Sequence, residues 1–450
     1  MATAVFYDPR RRRWKHLRTI FDVAGFSLTL LVGFFFYSLF RGVSLPALLQ
    51  QGQRRGYHAL KEKDRRRPAR RVAHRKTQAA PSQVALNSGE GIRAAFYVQW
   101  DAGSFSSLRA YFLQIDLLFP EWLHVLSADG HLQAVDAKNK LFPVLSGGSV
   151  RPVDDKVMPF LKAENAELEV FPLVNNFDPT RSHDVWMPEV AGMLNNPAAR
   201  AVFRKELAAL LASDRYRGLT LDFEGFPFSA QPGYRALVAE LSSDLHARGM
   251  KLYVALPAHN EDYDYAYVTA RADGIILMDY DQHYPGGPAG PVAAQSWFTD
   301  NLNSALEVMP REKIIVAVGN YGYEWTSDPK HPERVKNAQT VPVQQAWLMA
   351  RESEASPELD ADSLNPHYAY VDESSARHDV WFLDAVTALN QMRAAQALGI
   401  NTFALWRLGS EDRSLWAVWD VPGEPEAPAK LRSVPPGQDV DMEGQGEILR

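Results

Sequence analysis

The chain has 450 residues, a formal net charge of −6 and no cysteine, so disulfide bonds and thiolate metal sites are excluded. Its charge is unevenly distributed: residues 1–76 contain 18 Lys/Arg against 4 Asp/Glu, and the remainder contains 30 against 50. A basic segment ahead of an acidic body argues against a nucleic-acid-binding domain, and no nucleic-acid partner is predicted.

An apolar run near the N-terminus predicts a membrane anchor. Residues 21–40 contain one charged side chain, Asp22, and follow six Lys/Arg between residues 10 and 18. About 20 apolar residues are enough to cross a bilayer as a helix. A cleaved signal peptide is the alternative, but its apolar core is typically about 7–15 residues long and precedes a small-residue cleavage site. We expect a basic cytoplasmic N-terminus at residues 1–20 and one transmembrane helix at residues 21–40.

The basic residues also predict where the body of the chain lies. Their denser cluster precedes the apolar run, and the positive-inside rule then places the N-terminus in the cytoplasm. This predicts a single-pass protein of the bacterial inner (plasma) membrane, with the lipid bilayer as a partner and the body on the periplasmic or extracellular side. Residues 41–90 are basic and polar, as is typical of a stalk or linker. Residues 421–450 predict a flexible tail or linker.

Short apolar strands alternate with helix-length segments between residues 91 and 420. Eight strands in this order predict an α/β fold, a (β/α)8 TIM barrel. A doubly wound open sheet is the alternative, but no Gly-rich phosphate loop follows any strand. Residues 321–384 interrupt the alternation and predict a small α+β insertion after the seventh strand. The predicted strands are residues 94–100, 122–126, 169–174, a strand beginning at 216, then 252–256, 274–278, 314–318 and 402–406.

The fourth strand carries the most distinctive pattern. Residues 216–228 read YRGLTLDFEGFPF, and strand alternation places Thr220, Asp222 and Glu224 on one face. Two carboxylates this close cannot both ionise freely, so one should hold a proton near neutral pH, as a general acid must. The structural alternative is a buried strand whose terminal acids cap the next helix. Inward polar residues on a central strand are costly unless they serve a function, which favours a site.

Other distinctive side chains follow the remaining predicted strands. In a barrel, catalytic residues belong at the C-terminal ends of the strands. Aromatic faces and amides gathered at one rim suit sugar rings, whose hydroxyls seek hydrogen bonds. The predicted substrate-binding residues are Tyr97, Trp100, Asn175, Thr220, Met278, Asp281, Tyr321, Trp406 and Arg407.

These motifs resemble those of the family 18 glycoside hydrolases, the chitinases and their relatives. Asp222 matches the last Asp and Glu224 the catalytic Glu of the DxxDxDxE signature, whereas Thr220 stands where the middle Asp usually lies. LMDYD at residues 277–281 resembles the M-x-Y-D of the sixth strand. Trp406 occupies the place of the tryptophan that forms the floor of the sugar site.

The resemblance implies a membrane-anchored hydrolase of β-linked N-acetylglucosamine polymers that uses substrate-assisted, retaining catalysis. Glu224 would protonate the leaving oxygen and then activate water, while Asp222 would hold the acetamido N–H. Tyr280 would donate to the acetamido carbonyl, with Asp281 as its neighbour, and Trp406 would stack under the sugar. No cofactor and no metal are implied. Because Thr220 replaces an acid, low activity or a shifted pH dependence is expected.

The N-terminal span followed by this domain also resembles large envelope proteins in which the barrel precedes two further modules. The resemblance thus implies polysaccharide deacetylase and glycosyltransferase modules as partners, and the last residues fit a chain cut at such a junction. A carbohydrate-binding barrel without turnover, acting in polysaccharide synthesis or export, is the main alternative function. A metal-dependent deacetylase would need clustered histidines, and the 12 histidines here are scattered.

Overall fold

The computed structural model describes residues 86, 91–136, 139–181, 186–213, 215–258, 260–328, 331–335 and 338–432. They belong to a compact unit, Val84–Arg450. The predictions for residues 1–20, for the apolar run at 21–40, for nearly all of the stalk and for most of the tail lie outside the described residues.

Within these ranges, eight parallel strands close into a barrel. Each strand pairs with its neighbours in chain order, and the first pairs with both the second and the last. The predicted (β/α)8 barrel is confirmed, and the open sheet is excluded because it would leave two unpaired edges. The strands are β1 (Arg93–Val98), β2 (Leu117–His124), β3 (Leu173–Asn175), β4 (Gly218–Asp222), β5 (Lys251–Pro257), β6 (Gly274–Met278), β7 (Ile314–Gly319) and β8 (Phe403–Trp406).

Helices connect the strands and begin at recognisable caps. The Asp101 side chain accepts from the N–H of Gly103 at the first helix, and Asn196 accepts from Ala198 ahead of a proline at the first helical position. The helices are α1 (Ala102–Tyr111), α2 (Val157–Ala163), α3 (Val190–Asn195), α4 (Pro197–Leu211), α5 (Gln231–His246), α6 (Tyr265–Thr269), α7 (Gln295–Val308), α8 (Val343–Glu352), α9 (Ala385–Ala397) and α10 (Ala427–Arg432).

The barrel has two hydrophobic layers because its strands are buried on both faces. The inner face carries a compact cluster that includes Phe96, Phe119 and Tyr253. The outer face packs against the helices in a much larger cluster that includes Trp122 and Leu221. Residues two apart on a strand therefore share a layer, and a polar side chain at the end of an inward row lies at the mouth of the barrel.

An antiparallel sheet and helix α8 lie between β7 and β8. The insertion predicted at residues 321–384 contains its paired strands Pro366–Val371 and Arg377–Phe382. One face of the sheet packs on α8, and the other adds Tyr323 and Trp325 to a cluster beside Tyr280 and Trp406. Its other strands are Gly322–Asp328, His331–Val335, Gln339–Val341 and Glu358–Leu359.

The predicted location in the bacterial inner membrane needs correction. A helix must carry about 20 predominantly apolar residues to cross a bilayer. In the part of the chain that the structure describes, no helix is both long enough and apolar enough to do so.

Candidate active site

Strand β4 brings the two predicted acids to the mouth of the barrel. Thr220 and Asp222 lie in one row of the strand and are both buried, and Glu224 lies two residues beyond the end of the strand. Asp222 pairs in register with Asn175 of β3. The predicted row of Thr220, Asp222 and Glu224 is therefore placed at the C-terminal end of the barrel, where active sites of this fold are built.

Burial raises the pKa of both acids. Burial, and then the charges of Glu224 and Glu121, raise the pKa of Asp222 well above its ordinary value. Burial and the charge of Asp281 raise the pKa of Glu224 to about 8. Within the described structure, Asp222 Oδ1 is buried without a hydrogen-bond partner. The Glu224 carboxyl thus keeps a proton at neutral pH, as a general acid must.

The backbone of Glu224 is held by one side chain. Asn176 Oδ1 accepts from the N–H of Glu224 at 2.9 Å, and Asn176 Nδ2 donates to the carbonyl of Glu224 at 2.7 Å. Gly225 then turns the chain with a φ of +63°, and a Cβ at this position would lie 3.0 Å from Trp186 Cβ. The loop after β4 therefore has a defined geometry that fixes where the Glu224 side chain begins.

A group of aromatic hydroxyls faces the two acids. The Tyr280 hydroxyl is buried and has no hydrogen-bond partner among the described residues. Burial, and the charges of Asp281, Asp222 and Glu224, raise the pKa of Tyr280 well above its ordinary value. Its phenol therefore remains a proton donor at any physiological pH. The ring lies nearly parallel to Trp406, with centroids 6.4 Å apart and planes at 22°.

Asp281 is held by two tyrosines from the start of the insertion. The Tyr321 hydroxyl donates to Asp281 Oδ1, and the Tyr323 hydroxyl donates to the same atom at 2.8 Å. Asp281 has a φ of +62°, a conformation that aspartate tolerates better than most residues. Tyr323 was not among the predicted site residues. The insertion thus supplies the hydroxyl groups that bond to Asp281, and the charge of Asp281 helps to raise the pKa of Glu224.

The opposite rim is formed by the loops after β1 and β8. The Arg407 guanidinium lies 4.2 Å from the centroid of the Trp100 ring and donates to the Asp101 carboxylate. Trp100 is 44% exposed, whereas Arg407 is buried. Arg407 therefore supports the Trp100 ring, which leaves one aromatic surface accessible at the rim.

One carboxyl of the site was missed by the sequence analysis. Glu121 lies on β2 and is only 5% exposed. Burial raises its pKa to about 7, while hydrogen bonds from Asn175 and Trp100 and the charge of Arg407 act in the opposite direction. Asn175 is itself oriented by His124, whose Nδ1 lies 2.8 Å from its Oδ1. A polar chain from β1, β2 and β3 thus reaches the acids of β4.

Two predicted positions have different surroundings from those expected. Tyr97 was predicted to bind substrate, but its side chain lies in the outer layer and packs against Trp122, with ring centroids 6.4 Å apart. Thr220 is fully buried, and its Oγ1 is 3.5 Å from the carbonyl of Phe171, at the limit of a hydrogen bond. The remaining predicted residues surround the barrel mouth: Trp100, Asn175, Asp222, Glu224, Met278, Tyr280, Asp281, Tyr321, Trp406 and Arg407.

Residues 187–412 match the family model described as glycosyl hydrolases family 18. The matched segment is half of the chain and contains β4 to β8, the insertion and both acids. The chain belongs to glycosyl hydrolase family 18. This membership supports a glycosidase.

Relatives of this family 18 chain support the same assignment. The Bacillus subtilis (strain 168) protein YdhD is 29% identical over 223 residues, which cover 48% of this chain and 52% of YdhD. The cortical fragment-lytic enzyme of the same organism is 26% identical over 284 residues, which cover 57% of this chain and 64% of the enzyme. The chain therefore spans about half to two thirds of these relatives.

A solved structure shows the same fold. The chitinase from Chromobacterium violaceum ATCC 12472 superposes with a TM-score of 0.61 at 24% identity, and the match covers 74% of this chain and 98% of the chitinase. The glycosidase and barrel predictions are confirmed by these comparisons. The predicted inner-membrane location is not: the described helices include none that could span a bilayer, and a cortical fragment-lytic enzyme is among the relatives.

Proposed function

We propose that this family 18 domain, residues 91–420, hydrolyses β-linked N-acetylglucosamine polymers by substrate-assisted, retaining catalysis. One observation carries the proposal. Glu224, with its pKa raised to about 8, lies beside Asp222 and faces a Tyr280 hydroxyl that has no partner among the described residues. Together they supply a proton donor, a carboxylate and a neutral hydrogen-bond donor at one barrel mouth.

The first step breaks the glycosidic bond. The acetamido carbonyl oxygen of the substrate attacks the anomeric carbon, and the Glu224 proton passes to the leaving oxygen. Asp222 accepts a hydrogen bond from the acetamido N–H and offsets the positive charge of the resulting oxazolinium ion. Tyr280 donates to the acetamido group and orients it for attack, and Trp406 packs against the sugar ring. Electrostatic stabilisation of this kind is strongest in a buried site.

The second step releases the product. Ionised Glu224 takes a proton from water, whose oxygen attacks the anomeric carbon from the face that the leaving group vacated. The oxazolinium ring opens and the acetamido group is restored. Two inversions give net retention of anomeric configuration, and Glu224 regains the proton that it lost.

The polymer is proposed as an envelope glycan that carries N-acetylglucosamine. The cortical fragment-lytic relative supports a glycan of this type. Polysaccharide deacetylase and glycosyltransferase modules remain proposed partners on the sequence resemblance alone. A neutral, buried Thr220 in the place of a motif acid favours a second candidate, a carbohydrate-binding barrel of weak or absent activity.

A matched glycan panel tests the proposal. The full chain is incubated with chitin oligosaccharides, poly-N-acetylglucosamine and peptidoglycan glycan strands, each in N-acetylated and de-N-acetylated form. We expect cleavage of one or more acetylated members, none of the deacetylated ones, and a product of retained configuration by proton NMR. Equal cleavage of deacetylated material would refute substrate assistance. Binding without cleavage of any acetylated glycan would establish the second candidate.

A further inference from the structure

Glu121 ends the inward-facing row of strand β2. Leu117 and Phe119, four and two residues earlier, belong to the cluster inside the barrel. Strand alternation continues this row to Glu121, which is buried and pairs in register with Leu173 of β3, itself paired with Thr220 of β4. A carboxyl group in such a position has left water and needs partners that offset the cost.

Two hydrogen-bond donors offset part of the cost of burying Glu121. The Asn175 and Trp100 side chains lower the pKa of Glu121 as hydrogen-bond donors, against the larger effect of burial. Asn175 is oriented by two contacts, because its Oδ1 accepts from the N–H of Phe177 at 3.2 Å and lies 2.8 Å from His124 Nδ1. The site therefore contains a third acid besides Asp222 and Glu224, buried on the side of Asp222 away from β5.

The surroundings of Asp222 are acidic or neutral. The charges that act most strongly on it belong to Glu224, in the loop after β4, and Glu121 on β2. The charge of Asp222 contributes to raising the pKa of three tyrosines. These are Tyr234 on α5, Tyr263 ahead of α6 and Tyr280 in the loop after β6. Arg407 faces Glu121.

Resting on the proposed function, we propose that Glu121 is a positioning residue that controls the protonation of Asp222. Thr220 contributes no charge to the inward row of β4. Glu121 contributes one from β2, and so acts on Asp222 as a second acid in the β4 row would. While Glu121 is ionised it opposes ionisation of Asp222. The total negative charge of Glu121, Asp222 and Glu224 is then smaller than that of three isolated acids at the same pH.

The sign of the effect follows from this arrangement. Glu121→Gln removes the charge but keeps the shape, so the pKa of Asp222 should fall, on the order of one pH unit for a buried like-charge neighbour. Since Asp222 acts in the ionised form, the acidic limb of the pH–rate profile should move to lower pH by the same amount. Thr220→Asp should move that limb to higher pH. The double variant Glu121→Gln/Thr220→Asp should return toward the wild type.

Titration of the carboxyl groups tests the proposal without requiring turnover. The full chain is labelled with carboxyl-13C aspartate and glutamate, and the Asp222 signal is assigned by its loss in Asp222→Asn. We expect the Asp222 and Glu121 signals of the wild type to titrate in two shared steps, and the Asp222 midpoint to fall in Glu121→Gln. Independent single-step titrations, or an unmoved Asp222 midpoint, would overturn the proposal even if the enzyme is active.

A matched control separates charge from burial. Glu411 is also buried, and it accepts hydrogen bonds from Ser107, the N–H of Gly409 and Trp416 Nε1 without acting on Asp222. Glu411→Gln should leave both the Asp222 midpoint and the acidic limb in place. An equal shift in Glu411→Gln would assign the effect to loosened packing and refute the role of Glu121. If the wild type shows no turnover while the shared titration persists, the proposed function fails and the proton-sharing pair stands.

Discussion

Asn176 holds Glu224 at both ends of its peptide backbone, accepting from its N–H and donating to its carbonyl. Asn365 makes the same pair of contacts with Ala293, at 3.1 Å from the N–H and 2.8 Å to the carbonyl. Both asparagines are fully buried. The same pair of backbone hydrogen bonds therefore occurs at Ala293 and at Glu224, the proposed general acid.

Asn176→Ala should therefore lower kcat more than its effect on stability explains. A displacement of a catalytic group by about 1 Å can cost on the order of 10²-fold in rate. Each buried hydrogen bond left unmade costs about 1–3 kcal/mol of stability in either variant. We expect Asn365→Ala to lose stability similarly but to keep most of its kcat, as measured by thermal unfolding and initial rates. Equal losses of kcat would show that Asn176 matters only for folding.

The charge of Asp281 should tune the alkaline limb of the pH–rate profile. Burial and then this charge raise the pKa of Glu224 to about 8, so activity that needs protonated Glu224 should fall as the pH rises through about 8. Asp281→Asn removes the charge and should move the limb to lower pH. Glu324→Gln, which alters a carboxylate bonded to Tyr370 and His378 instead, is the control and should leave the limb unchanged. An unmoved limb in Asp281→Asn would contradict this assignment.

Glu224 should also make stability depend on pH. Its pKa is raised in the folded state, so the folded protein binds the proton more tightly than the unfolded chain does. The stabilisation from this proton is complete below the ordinary glutamate pKa and is lost as the pH rises through about 8. A glutamine side chain does not titrate, so the Tm of Glu224→Gln relative to wild type should rise between pH 5 and pH 9. Differential scanning calorimetry across this range measures it, and a constant difference would contradict a raised pKa.

Much of the fold and the central acids could be predicted from the sequence because the signals are local. Alternation along one strand placed Asp222 and Glu224 together, and the spacing of apolar runs predicted the barrel. Tyr97 could not be oriented, because a barrel strand is buried on both faces and its hydrophobicity does not reveal which side faces inward. Phe96 faces the interior instead.

Glu121 was missed for a related reason. The second strand was predicted to begin at residue 122, whereas it begins at Leu117 and contains Pro120. Proline usually argues against a central strand, since it cannot donate to the ladder. Here the strand continues through it, and Glu121 enters the inward row. The contact between Asp281 and Tyr323 was equally inaccessible, because it joins the loop after β6 to the first strand of the insertion, which only the closed barrel brings together.

The most direct test of the account compares wild type with Glu224→Gln on an N-acetylated glycan that the wild type cleaves. Glutamine keeps the shape and the backbone contacts but cannot donate the proton. General acid catalysis contributes about 10²–10⁴-fold, so turnover should fall by that order while the affinity for the glycan, measured by calorimetry, is retained. Glu206→Gln, at a buried acid bonded to His131 and the N–H of Leu132, should retain turnover. Turnover by Glu224→Gln within a few-fold of the wild type would contradict the assignment of Glu224 as the proton donor.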